Sequence, residues 1–202
     1  MKALTVQPDT KDSARVREVP EPPEADGPVL VDTLAVGICG TDQEILRGDY
    51  GQAPPGDDYL ILGHESLGRV AEAPDGSGFA PGDLVVGIVR RPDPVPCANC
   101  AAGEWDMCRN GRYTEHGIKE IDGFCAERWR VHPGHAVKVA AHLGHLGVLM
   151  EPASVLAKAW DHVERIGSRS PAWKAHRVLV CGAGPIGLLA AMLAVQRGHE
   201  VV

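Results

Sequence analysis

Residues 178–188 read Val178-Leu-Val-Cys-Gly182-Ala-Gly184-Pro-Ile-Gly187-Leu188. An apolar run, glycines at GxGxxG spacing and a second apolar run follow one another, the order of a strand, a tight turn and a helix. Gly182 suits the turn, Gly184 lets a backbone approach a pyrophosphate, and Gly187 lets the helix pack closely on the strand. Pro185 and Ile186 lead into the helix, whose N-terminal N–H groups and partial positive charge favour phosphate. The pattern predicts a strand over Arg177–Val180, a helix over Ile186–Arg197 closed by Gly198, and a second strand from Glu200. This is one unit of a doubly wound parallel sheet, and the turn is a candidate dinucleotide site. The acidic or basic residue that separates NAD from NADP belongs ~20 residues further on. The sequence ends before that point.

Upstream of this unit the texture changes. Short apolar runs at Ala3–Val6, Val29–Val36, Gly68–Ala73, Leu84–Val89 and Val137–Val139 are each bounded by Gly, Pro or Asp. They predict an irregular β barrel or sandwich. Glycine (24) and proline (16) make about a fifth of the 202 residues. The usual share is ~12%, so a loop-rich fold is expected. With aromatics at 4%, aliphatic residues and alanine are expected to fill the core. Arg90–Gly123 lacks apolar periodicity and reads as an excursion. A helix opens at Glu151-Pro152 and ends at Gly167, with Val155, Leu156, Ala159, Val163 and Ile166 expected on its buried face. Ser168–Arg177 reads as a polar linker. The fold class is therefore mixed α/β, with a β domain over 1–167 and the start of a nucleotide domain over 168–202.

Charge and composition exclude several classes. A net charge of -7 argues against a general nucleic-acid binder or a protein held on anionic lipid. No apolar stretch reaches the ~18 residues of a membrane span. The N-terminus MKALTVQPDT turns polar too soon for a secretory signal, so the cytoplasm is expected. Six cysteines in such a chain point to metal binding or burial more than to disulfides.

Two stretches carry candidate metal ligands. Cys39-Gly-Thr-Asp42 follows a predicted strand, and Gly63-His64-Glu65 precedes another. Thiolate, imidazole and carboxylate together suit zinc with an open position. Taken singly, Cys39 also fits a small buried hydrophobe and His64 a surface histidine.

The order CGTD, GHE-x-x-G, a cysteine cluster and GxGxxG resembles the zinc-dependent medium-chain dehydrogenases over the whole chain. Within that family Val89-Arg-Arg-Pro92, Tyr113-Thr-Glu-His-Gly-Ile118 and Met150-Glu-Pro152 look most like the microbial glucose (aldose) dehydrogenases. The resemblance implies a GroES-like β barrel followed by a Rossmann domain, with substrate in the cleft between them. It implies Cys39, His64 and Glu151 as catalytic zinc ligands and Glu65 as a carboxylate that can approach the metal. Asp42 would orient the ligating imidazole. Thr41 would begin a proton relay, although Glu44 stands where alcohol dehydrogenases continue it with histidine. Cys97, Cys100 and Cys108 match three of the family's four structural-zinc cysteines. Pro94 occupies the place of the fourth, and the neighbouring Asp93 is the substitute ligand considered, beside solvent or a loop without metal. Cys125 and Cys181 read as buried thiols.

The implied reaction is zinc-assisted oxidation of an aldose at C1 to the lactone, with hydride passing to NADP or NAD. Glu115 and His116 fall in the segment resembling the sugar-contacting loop. Arg90 and Arg91 read as structural or cofactor-side charges. Another zinc-dependent polyol or alcohol dehydrogenase is the alternative, as is an inactive zinc-binding fragment. A zinc hydrolase is disfavoured by the GxGxxG unit. A homo-oligomer, dimer or tetramer, is implied by the family. A dinucleotide domain needs on the order of 100–150 residues, and 168–202 supplies a small part of that. The sequence is therefore expected to be the N-terminal part of a longer enzyme, able to bind zinc but not to turn over alone.

Overall fold

Valine-rich runs broken by Gly, Pro and Asp make short strands joined by loops. The computed structural model describes residues 1–174 and 176–202. They form two compact units, Met1–Val148 and Leu149–Val202. In the first unit the elements run β1 (Lys2–Val6), β2 (Arg15–Glu18), β3 (Val29–Gly37), α1 (Gly40–Arg47), β4 (Leu60–Ile61), β5 (Glu65–Glu72) and β6 (Leu84–Gly87). They continue with β7 (Arg90–Arg91), α2 (Ala98–Ala101), β8 (Thr114–His116), β9 (Glu120–Ile121), β10 (Arg128–Val131) and β11 (Ala136–Val139). The second unit holds α3 (Met150–Gly167), β12 (Arg177–Val178), α4 (Pro185–Gln196) and β13 (Glu200–Val201).

The central sheet of the first unit has the order β10-β3-β5-β6-β11, and every pairing in it is antiparallel. Two three-stranded sheets, β2-β1-β4 and β7-β8-β9, stand beside it. The barrel expected from the sequence is not closed among the described residues. An isolated bridge between Ala3 and Ala126 replaces a ladder there, and two-residue strands such as β4 and β7 are too short to continue one. The expected excursion at 90–123 is also more ordered than it reads, since it supplies β7, β8 and β9.

Val29, Val31, Val70, Val85 and Val131 form the central core with Phe124 and Trp129. Those two rings lie 4.7 Å apart. The expectation of a purely aliphatic core is thus corrected. Two of the nine aromatics lie at its centre, where a large apolar area is removed from water at once.

In the second unit β12 and β13 are parallel neighbours joined through α4. The Val180 N–H donates to the Val202 carbonyl and the Val202 N–H to the Val178 carbonyl, both at 2.9 Å. Gly187 sits so close to the turn that a Cβ would stand 1.9 Å from the Gly182 carbonyl oxygen. The buried face of α3 differs from the expected one. Of the residues expected there Leu156 is buried, joined by Pro152, Trp160 and Gly167, whereas Val155, Ala159, Val163 and Ile166 are exposed. Trp160 stacks on His199, with ring centroids 5.0 Å apart. Because α3 packs on α4, it joins the second unit, although the sequence reading ended the first domain at 167. The linker expected at 168–177 includes one position, 175, outside the described residues.

Candidate metal centre

A helix begins where β3 ends, and its cap is the first element of the site. Cys39 is the N-cap of α1 in extended conformation. Its Sγ accepts the Thr41 N–H at 3.3 Å, while its own N–H donates to Asp42 Oδ2 at 2.9 Å. Two donors at the helix start are thus satisfied reciprocally, the logic of a capping box with sulfur in place of a hydroxyl. Gly48, with φ +78, closes the helix. The sequence reading missed α1, and the Cys-x-x-Asp spacing was the available signal.

His64 reaches the same place from the loop before β5. Its Nε2 lies 3.1 Å from Cys39 Sγ. Its Nδ1 lies 3.5 Å from Asp42 Oδ1, which is fully buried. Neither Nδ1 nor Oδ1 has a hydrogen-bond partner. Two buried polar atoms that face each other without bonding are costly unless something fixes the imidazole. A metal on Nε2 would do so by leaving the proton on Nδ1, pointed at the carboxylate. Glu65 completes the group. The Cys39, His64 and Glu65 donor atoms all lie within 4.8 Å of one another. Gly37 on β3 makes room for Glu65, since a Cβ there would stand 2.0 Å from its Oε2. The donor set and its convergence fit zinc. Tetrahedral Zn–S and Zn–N bonds would separate the Cys39 and His64 donors by about 3.6 Å, so a small opening of the present pair suffices.

Electrostatics follow the same geometry. Burial pulls the metal-free His64 imidazole down, but the Asp42 carboxylate and Cys39 raise it to about 9. Burial pushes Asp42 up, yet His64 and the Cys39 N–H outweigh it and hold the carboxyl below its ordinary range. Burial also raises Glu65. A metal must therefore displace a proton that Asp42 helps to hold.

The strand end at β8 lies against this centre. A Cβ on Gly117 would stand 2.5 Å from the Gly63 carbonyl oxygen, and Gly63 immediately precedes His64. Glu115 on β8 is mostly buried and accepts from Arg90 on β7 at 2.8 and 3.0 Å. His116 is a core residue. Its Nδ1 side meets the Asp122 carbonyl, its Nε2 lies 2.7 Å from an Arg91 Nη, and its ring stacks on Phe124. Burial and the Arg91 charge drive it down to about 3, so it is neutral. With both nitrogens engaged inside the fold, the geometry gives it no hydrogen bond to offer a sugar. Arg91, lowered to about 10 by burial, holds the Ile88 carbonyl as well. That fits the structural role read for it.

The cysteine loop forms a second cluster. The Cys97, Cys100 and Cys108 sulfurs lie within 4.8 Å of one another. The Arg109 and Cys100 backbone N–H groups draw the Cys97 thiol down, and burial pushes Cys100 up. Asp93 does not join this cluster. Its Oδ1 accepts the Val95 N–H at 2.8 Å, and its Oδ2 faces Arg112 Nε at 3.8 Å. Oδ2 is buried and has no hydrogen-bond partner.

In the second unit the glycine-rich turn is formed as expected. Gly182 has φ +109, and Gly184 is the N-cap of α4 with Pro185 in its first turn. Nothing lies within 4 Å of where a Cβ would stand on either glycine. A cleft of about 1110 Å³ is lined by this turn on one side and by apolar residues of α3, among them Leu156, Trp160 and Val163, on the other. Open space on the helix N-terminus fits a pyrophosphate. Glu151 lies in the first turn of α3 in this unit. Cys181, read as a buried thiol, is exposed.

Thiolate, imidazole and carboxylate donors thus converge in the first unit, and a glycine-rich βαβ turn stands in the second. Residues 25–141 match the family model described as alcohol dehydrogenase GroES-like domain, and the chain belongs to that family. Residues 144–202 match the model described as glucose dehydrogenase C-terminus. Similar relatives carry a more particular name. Glucose 1-dehydrogenase of Methanocella arvoryzae is 46% identical over 202 residues, covering 100% of this chain and 56% of the relative. Glucose 1-dehydrogenase of Thermoproteus tenax is 47% identical over 199 residues, covering 96% of this chain and 54% of the relative. Among solved structures, Haloferax mediterranei glucose dehydrogenase in complex with NADP, Zn and gluconolactone superposes with a TM-score of 0.87 at 36% identity. That match covers 99% of this chain and 56% of the other. The chain spans about half the length of the relatives it matches. No helix among the described residues is long and apolar enough to cross a membrane.

Proposed function

We propose that this chain carries the metal-binding and first nucleotide-binding parts of a glucose 1-dehydrogenase, which oxidises the sugar at C1 to the lactone and reduces NADP or NAD. The observation that carries this reading is the Cys39, His64 and Glu65 cluster with Asp42 behind His64. Its place in a chain 46–47% identical to glucose 1-dehydrogenases supports the choice of substrate. Zinc bound there supplies a Lewis acid that eases loss of the C1 hydroxyl proton.

The chain's own residues do the rest. Cys39 and His64 hold the metal, with Glu65 alongside, and Asp42 keeps the proton of His64 on Nδ1. Glu151 stays a proposed ligand on the resemblance alone. Thr41, two residues past the cap, is the proposed first carrier of the departing proton. Glu115 accepts hydrogen bonds from sugar hydroxyls through the oxygen that Arg90 does not occupy. Gly182, Gly184, Pro185, Ile186 and Gly187 receive the cofactor pyrophosphate. The cysteine loop takes a second zinc on Cys97, Cys100 and Cys108. By role we divide the chain at 167/168, with the catalytic residues before and the nucleotide turn after. Six free cysteines support a reducing compartment, the cytoplasm. Assembly into a homo-oligomer follows from the family.

Cys39→Ser and Glu115→Ala in the full-length protein test the reading. The first is expected to lose zinc and turnover together. Unchanged glucose KM and kcat in the second would remove Glu115 from the sugar site.

A further inference from the structure

Arg90 sits at a junction that neither the metal centre nor the cysteine loop explains alone. Its Nε and Nη2 both donate to one oxygen of Glu115, Oε1, at 3.0 and 2.8 Å. Its Nη1 lies 3.4 Å from the Trp105 carbonyl and 3.3 Å from the Asp106 carbonyl, in the turn that leads into Cys108. Its guanidinium carbon stands 4.0 Å over the Tyr113 ring, and Lys119 Nζ stands 4.3 Å from the same ring. Arg90 and Glu115 are also register partners across β7 and β8. Three parts of this guanidinium are in use. One edge grips the carboxylate, one nitrogen grips the loop, and the plane rests on an aromatic ring.

A planar fork of fixed geometry suits such a task better than a point charge does. With two N–H groups on Oε1, the Glu115 carboxylate is turned so that Oε2 takes neither of them. A carboxylate held this way offers its second oxygen in one orientation, and ordering it beforehand removes an entropy cost from sugar binding. The loop contact adds a consequence. The turn Trp105–Met107 has little core of its own, since none of its residues is buried. It is held by Arg90 on the Trp105 and Asp106 carbonyls, by Asn99 Nδ2 on the Met107 carbonyl at 2.7 Å, and by its chain link to Cys108.

We propose that Arg90 is a positioning residue, which orients Glu115 for the sugar and ties that orientation to the state of the cysteine loop. This rests on Glu115 being a sugar contact. Metal held by the three thiols would then act on sugar affinity through Arg90 without touching the sugar.

Two readouts test it. In the chain itself, Arg90→Met is expected to speed amide exchange several-fold at Met107 and Cys108, whose N–H groups close the turn on Glu104 and Trp105. Exchange in β3 should not move. Unchanged exchange at Met107 and Cys108 would overturn the tie to the loop. In the full-length dehydrogenase, Arg90→Met is expected to raise glucose KM about tenfold, the loss typical of hydrogen bonds to a charged group. The kcat should stay within twofold, and Arg90→Lys should recover part of the KM. A KM unmoved by Arg90→Met, beside one raised by Glu115→Gln, would overturn the positioning role alone. A KM unmoved by Glu115→Gln would instead defeat the sugar-contact reading, and the exchange result would still judge the loop tie. Should Arg90→Met fail to fold, Tyr113→Leu removes the ring under Arg90 and keeps every charge. A KM and an exchange rate both unchanged in that variant would count against the proposal.

Discussion

Replacing Asp42 with Asn tests how the metal centre is held. The side chain keeps its volume, but it can no longer serve both neighbours. If its oxygen stays on the Cys39 N–H, now at 2.9 Å, its amide nitrogen faces His64 Nδ1 across 3.5 Å. Nδ1 must then accept, the proton moves to Nε2, and the nitrogen needed by zinc is blocked. If the amide flips, the cap bond to Cys39 is lost instead. Loss of such a partner costs roughly 10–100-fold in metal affinity, or about 1.4–2.7 kcal/mol. A second effect opposes this one near neutrality. Asp42 and Cys39 raise metal-free His64 to about 9, so zinc competes with a proton below that pH. Asn relieves part of that competition. The affinity gap between native and D42N chains is therefore expected to widen as pH rises from about 7 to about 9. The assay is zinc competition against a chelator in a Cys100→Ser background, so that the cysteine loop does not contribute. A gap within twofold at about pH 9 in a folded variant would refute the role given to Asp42. A gap that does not change with pH would point to general damage instead.

Other outcomes follow from single features. Cys100→Ser is expected to lower the zinc content of the purified chain by one ion per molecule, measured by atomic emission, while His64 and Cys39 keep theirs. An unchanged content would mean that the loop takes no metal. Gly187→Ala places a Cβ 1.9 Å from the Gly182 carbonyl oxygen. It should cost about 1–3 kcal/mol in the second unit, seen as a lower thermal midpoint and weaker binding of the reduced cofactor. His116 is held neutral, with its folded value at about 3 against 6.5 unfolded. The unfolded chain binds the proton more readily, so this contribution is complete above about pH 6.5 and fades as pH falls towards 3. Urea midpoints at about pH 7 and 5 should fall more in the native chain than in His116→Gln. Equal slopes would contradict the buried, neutral assignment.

Much of the fold was readable because it rests on local pattern. Valine runs bounded by turn formers gave β1, β3, β5, β6 and β11 within a few residues, and the GxGxxG stretch gave the βαβ unit. What was not readable depends on contacts distant in sequence. β7 and β8 are two and three residues long, below the length at which alternation carries a signal, and they exist because Arg90 and Glu115 pair across 25 positions. The wrong face of α3 has a similar cause. Val155, Leu156 and Val163 are equally apolar, and which of them is covered depends on residues distant in sequence, such as the His199 ring on Trp160 and Arg197 beside it. At the site, Cys39, His64 and Glu65 stand out through their combination and the family resemblance, and the structure brings their donor atoms within 4.8 Å of one another. The exclusion of Asp93 could not be read. A carboxylate beside a cysteine cluster looks like a ligand until its hydrogen bond from the Val95 N–H and its ion pair with Arg112 are known.

The two cysteine-bearing clusters differ in what places them, and that difference sets how each should respond to metal loss. Cys39 is fixed before any metal arrives. It caps α1, the helix buries Ile45 against Val6, Leu60 and Leu62, and His64 directly follows Leu62 and Gly63 in the same core. Removing metal there leaves a formed pocket with a protonated histidine. Cys97, Cys100 and Cys108 have no such support. α2 is four residues long and, like the turn Trp105–Met107, contributes no buried residue. A ligand bound by such a loop supplies the ordering energy that a core would otherwise give. Chelation should therefore loosen 93–110 while leaving β3, α1 and β5 protected from exchange. If both regions loosened together, the metal at Cys39 would be a folding requirement, and the cap and core described for it would not be what holds it.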